Sequence, residues 1–152
     1  MRSRLIMIIS VLAVALVACG GSSVTPHFFA TADAICANAN RQIEALAPPT
    51  KAPGSIAAVL RRGFAYARAE YQRLSSLTAP SGRERLFVTG LQASAHLLHL
   101  GGGEIAAFAR GDVKAADKLL GAGDRYSGEA DASMSLLGLG ACAANPQPTG
   151  KG

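Results

Sequence analysis

Four stretches of this chain repeat apolar residues at the 3.6-residue spacing of a helix, with prolines and glycines between them. In the first, Phe28, Ala32, Ile35, Cys36, Ala39, Ile43 and Leu46 share a face, and Asp33, Arg41 and Glu44 fall opposite. Thr25-Pro26 suits a start, with Thr as cap and Pro in the first turn, and Pro48-Pro49 ends the run. The second runs from about Ser55 to Leu77, with Ile56, Leu60, Phe64, Ala67, Tyr71 and Leu74 inward, before Ala79-Pro80. Ser81-Gly82-Arg83-Glu84 reads as a capping box opening the third, whose face carries Phe87, Leu91, Ser94, Leu98, Ile105 and Phe108. Gly101-Gly102-Gly103 interrupts that face and predicts a kink or a short unwound turn. Gly111-Asp112 separates the fourth, where Val113, Ala116, Leu119, Leu120, Gly123, Ser127, Ala130, Met134 and Leu137 form the stripe. Strand-like alternation is missing. The pattern predicts an all-α, antiparallel up-down four-helix bundle over residues 27–143, with a disordered Pro/Gly tail at 144–152.

The start of the chain has a different character. Arg2 and Arg4 precede a run from Leu5 to Ala18 that is apolar except for Ser10, and small residues lead into Cys19. These are the parts of a cleaved export signal. The run is shorter than the ~20 residues a bilayer-spanning helix needs, and it stops at Gly20-Gly21-Ser22-Ser23 rather than at a charged flank. Leu16-Val17-Ala18-Cys19 resembles the lipobox of bacterial lipoproteins. That resemblance implies a diacylglyceryl thioether on Cys19, cleavage just before it, and acylation of the new amino terminus. Two acyl chains are enough for stable anchoring. Residues 1–18 are then the signal peptide and 19–26 a flexible spacer. The expected location is the outer face of the cytoplasmic membrane, with the lipid as the membrane contact.

With Cys19 so used, Cys36 and Cys142 remain as an even pair in a compartment where disulfides persist. The up-down topology brings the end of the fourth helix beside the start of the first. Cys36 lies two to three turns into the first helix and Cys142 just past the fourth, so the two can bridge. The composition makes such a clamp useful: 49% of the chain is hydrophobic, but only 5% is aromatic and there is no Trp. Alanine-rich helices approach closely yet bury little area per residue.

Ala32-Asp33-Ala34-Ile35-Cys36-Ala37-Asn38-Ala39-Asn40, together with Leu139-Gly140-Ala141-Cys142, resembles a pattern in small helical lipoproteins of high-GC Gram-positive bacteria. The alanine load and the preference for Arg over Lys fit that group. The family carries no assigned activity, so the resemblance implies a fold and an address only.

Reactive constellations are not apparent. The formal charge of +5 includes Arg2 and Arg4 and is no nucleic-acid signature. The arginines at 61, 62, 68, 73, 83 and 85 read as a solvated face. His96 and His99 point away from the apolar stripe or to its flank, and no Glu-x-x-His repeat accompanies them, so no metal site is expected. Neither a Cys-x-x-Cys-His haem motif, a Gly-x-Ser-x-Gly elbow nor a phosphate loop is present. No cofactor and no enzymatic activity are expected. Asp117, Asp124 and Asp131 recur every seven residues along one flank of the fourth helix. They read either as a salt-bridge row facing arginines of a neighbouring helix or as a site for a cation or a basic partner. The functional expectation is a non-enzymatic binding or envelope-scaffold role, with an envelope protein as partner. The alternative is a carrier of a small apolar or amphiphilic ligand inside the bundle. A closed, alanine-packed interior would reject the carrier, and a continuous apolar cavity would favour it.

Overall fold

A computed structural model of the chain describes residues 24–145 and 148–150. The expected signal segment, the lipobox-like motif and Cys19 lie outside the described residues. Four helices follow one another: α1 (Val24–Glu44), α2 (Pro53–Ser75), α3 (Glu84–Ala109) and α4 (Val113–Leu137). They form the all-α four-helix bundle that the periodicity predicts, and the described residues contain no strand. The α3–α4 interface is the most extensive, followed by α2 on α3 and α1 on α2.

Local chemistry explains most helix ends. Pro53 occupies the first turn of α2, where no backbone donor is needed. The Asp112 carboxylate accepts from the Ala115 N–H at 3.0 Å and caps α4. Gly111 and Gly138 adopt φ of 75° and 92°, left-handed conformations that end α3 and α4. The expected capping box does not form. The cap of α3 is Arg83, without a side-chain hydrogen bond. A tight turn closed by the Arg83 N–H on the Pro80 carbonyl, 3.0 Å, leaves Ser81 two residues short of the cap.

The glycine run differs from expectation as well: α3 passes through it unbroken. A Cβ on Gly101 would sit 1.7 Å from ring carbons of Phe64 on α2, and one on Gly103 would sit 3.1 Å from Leu119 on α4. Gly102 faces open space. Two of the three glycines therefore let neighbouring helices approach α3, and that packing holds a helix that local propensity alone would loosen.

Buried residues gather in two clusters at opposite ends of the bundle. One joins Phe28, Ala32 and Cys36 of α1 to Leu74, Phe87, Met134 and Leu137, with Leu139 beyond α4. Its aromatic centre is Phe28, edge-on to Phe29 and Phe87 at centroid distances of 5.3 and 5.1 Å. The other is smaller: Ala57 of α2, Ala107 and Phe108 of α3, and Ala116 of α4. No residue of α1 belongs to it. The first helix stops at Glu44, and the following Leu46 packs at the level of Gly63. Val113 and Leu120, expected in the buried stripe of α4, are accordingly 43% and 56% exposed. At their level the bundle lacks its fourth wall.

Beyond Gly138 the chain turns back along α1. Cys142 is disulfide-bonded to Cys36, with Cα atoms 5.0 Å apart. The Asn40 side-chain amide donates to the Ala141 carbonyl at 2.8 Å. Farther on, the N–H groups of Thr149 and Gly150 donate to the Glu44 carbonyl at 3.0 and 3.1 Å. Within the stretch read from sequence as a disordered tail, Thr149 and Gly150 are thus hydrogen-bonded to the end of α1.

The glycine account separates neighbouring positions. Gly101→Ala should destabilise the protein by about 1–3 kcal/mol through overpacking against Phe64. Gly102→Ala should stabilise it by up to about 1 kcal/mol. Thermal unfolding of both variants checks the difference; equal effects would contradict it.

Candidate functional site

Between the two buried clusters the interior is not filled. A cavity of about 490 Å³ opens there, floored by α3, walled by α2 and α4, and bordered by Asn40 and the returning residues Cys142, Ala144 and Asn145. Its apolar lining includes Leu60, Phe64, Leu97, Leu98 and Leu119. That volume is in the range of small-molecule sites. The hollow follows from the sequence: Ala67, Gly123 and Ala130 stand at inward positions where larger side chains would meet, whereas the space beside Gly101 is taken by the Phe64 ring.

Carboxylates from three helices line this space: the buried Glu104 of α3, the half-buried Glu70 of α2 and Asp131 of α4, and the exposed Asp124 of α4. They are four of the ten acidic residues in the chain, while no lysine or arginine among the described residues lines the cavity. Helical spacing sets them there. Glu70 comes one turn after Ala67 and Glu104 one turn after Gly101, and Asp124, Ser127 and Asp131 share a flank of α4. Burial pushes the Glu70 carboxyl up from 4.5 to about 7. It also raises Glu104, with Asp117 adding repulsion, and it raises Asp131. Glu104 is only 8% exposed. Among the described residues it has neither a hydrogen bond nor an ion pair.

The sequence-derived candidates divide in two. Asp124 and Asp131 reach the cavity, whereas Asp117 is exposed outside it and acts on Glu104 by repulsion. The arginines at 61, 62, 68, 73, 83 and 85 are all exposed. His96 and His99 are exposed too, and His96 stacks on Tyr126 with centroids 4.6 Å apart. Cys36 and Cys142 meet in their disulfide, with a Glu70 carboxylate oxygen close by: the three ligand-type atoms lie within 4.8 Å of one another. Bonded to each other, the two sulfurs are not the thiolates a metal would need. Sequence reasoning missed Glu70 and Glu104. The available signal was their one-turn spacing from inward small residues, but a carboxylate beside an apolar stripe usually reads as its solvated edge.

Comparison with known proteins finds no matching family model, curated protein or solved structure. The functional reading therefore rests on the geometry.

The Glu70 carboxyl gives a pH dependence of definite sign. Its pKa is higher folded than unfolded, so its contribution to stability is fully present below pH 4.5 and is lost as pH rises through about 7. Glu70→Gln should raise stability at pH 8 by roughly 2 kcal/mol, allowing for partial solvent access, and change it little at pH 4. Chemical denaturation at the two pH values measures this; a Gln variant destabilised equally at both would contradict it.

Proposed function

We propose that this protein is a lipid-anchored, non-enzymatic carrier that holds a small amphiphilic molecule inside its helical bundle at the outer face of the cytoplasmic membrane. The observation that carries the reading is the continuous cavity between the two buried clusters, with apolar walls and a few carboxylates. A bundle evolved only to present an outer surface gains nothing from an unfilled centre, because a void forfeits packing contacts. The buried Glu104 and the half-buried Glu70 and Asp131, whose charged forms burial disfavours, add a further cost, which fits a binding site. The lipobox-like Leu16-Val17-Ala18-Cys19 supplies the anchor, and the Cys36–Cys142 disulfide suits an exported domain. Among the described residues no helix is long and apolar enough to cross a membrane.

Two measurements test the reading. Palmitate should label the wild-type chain in its host but not Cys19→Ala; equal labelling would remove the anchor. Phenylnaphthylamine, an uncharged fluorophore, should brighten on the wild-type protein in nanodiscs, after subtraction of empty discs. Ala67→Phe combined with Ser127→Leu, which fills the cavity, should reduce that gain at least fivefold while circular dichroism stays helical. An unchanged gain in the filled variant would overturn the carrier.

A further inference from the structure

We propose that the cavity takes a linear aliphatic diamine or polyamine, one ammonium lying at Glu70 and Asp131 near the disulfide and another at Glu104 at the far end. This inference rests on the carrier reading and names its ligand class.

The spacing of the carboxylates is what selects an elongated dication. Gly101 of α3 meets Phe64 of antiparallel α2. Glu70 lies six residues past Phe64 and Glu104 three past Gly101, in opposite directions along the bundle. The offset of nine residues is roughly 13 Å at the helical rise. On α4, Gly103 meets Leu119 and Gly90 meets Met134, so Asp131 belongs to the Met134 end and Glu104 to the Leu119 end. Between these ends the lining is mainly Phe64, Leu97, Leu98 and the small Gly101 and Gly123, which suit methylene groups.

Other ligand classes fit less well. A single metal ion needs ligands converging on one point, and the only such grouping of three among the described residues contains the bonded sulfurs. An anion would meet four carboxylates and, among the described residues, no lysine or arginine. A neutral amphiphile would leave Glu104, more than nine-tenths buried, without a partner for its charge. An ammonium supplies that partner through a charge-assisted hydrogen bond beside a largely buried side chain. The Coulomb energy is larger there than at the surface.

Calorimetric titration of the anchored protein in phosphatidylcholine nanodiscs, with empty discs as blank, tests the proposal. Diaminooctane and spermidine should bind at least tenfold more tightly than octylamine, and suberate should not bind. Glu104→Gln should abolish the advantage of diaminooctane over octylamine, with little effect on octylamine itself. A Glu104→Asp variant, which keeps the charge, should retain most of the advantage. Diaminooctane binding no better than octylamine, or a Gln variant that keeps the preference, would overturn the proposal. If phenylnaphthylamine still binds in that case, the carrier stands and only its ligand class falls. If neither binds, the carrier falls with it.

Discussion

The bond between Cys36 and Cys142 is the constraint on which the remaining architecture depends. It joins the middle of α1 to the segment beyond α4 across a sequence separation of 106 residues. In the chain-entropy model such a closure contributes about 4–5 kcal/mol. The first helix needs it. α1 packs mainly on α2 and shares little surface with α4, because the returning segment lies alongside it. The α1 residues in the main cluster include Ala32 and Cys36, which bury little apolar area each. Phe28 is the one large fully buried α1 side chain in that cluster, with Phe29 and Ile35 half-buried against it, and it reaches Phe87 only while α1 is held in place.

From that clamp the unfilled centre follows. The disulfide fixes α1 over one end of the bundle, and the helix stops at Glu44 before reaching the other. Three helices then close the far end with an alanine-rich cluster around Phe108. Between the ends, glycine and alanine at inward positions leave space where leucine would have closed the core. The fold thus trades packing for volume. Glu70, Glu104 and Asp131 add a second cost, since burial disfavours the charged form of each. The ligand that fits this arrangement relieves both costs, filling the void with methylenes and matching the carboxylates with ammonium groups.

The architecture was largely legible in the sequence, because apolar periodicity and Pro/Gly punctuation report on helices directly. The stripe from Phe28 to Leu46 and the breaks at Pro48-Pro49 and Gly111-Asp112 correspond to observed elements. The pairing of Cys36 with Cys142 could be argued from topology once the lipobox-like motif had set Cys19 aside. Features set by tertiary contact were less accessible. A triple glycine reads locally as a helix break, and only the ring of Phe64 shows why α3 needs Gly101. Ser81 and Glu84 match a capping box by spacing, but the turn at Gly82 moves the cap to Arg83. Glu70 and Glu104 could not be told from surface carboxylates, because pattern identifies a face and not whether that face encloses a hollow. The heptad of aspartates lies between these cases: its geometry was legible, its division between cavity and surface was not.

Amide hydrogen exchange with and without reductant measures the dependence on the clamp most directly. On reduction, α1 and the returning residues 139–145 and 149–150 should lose protection while the α3–α4 pair keeps most of its own. Unchanged protection in α1, or an equal loss across all four helices, would contradict the account.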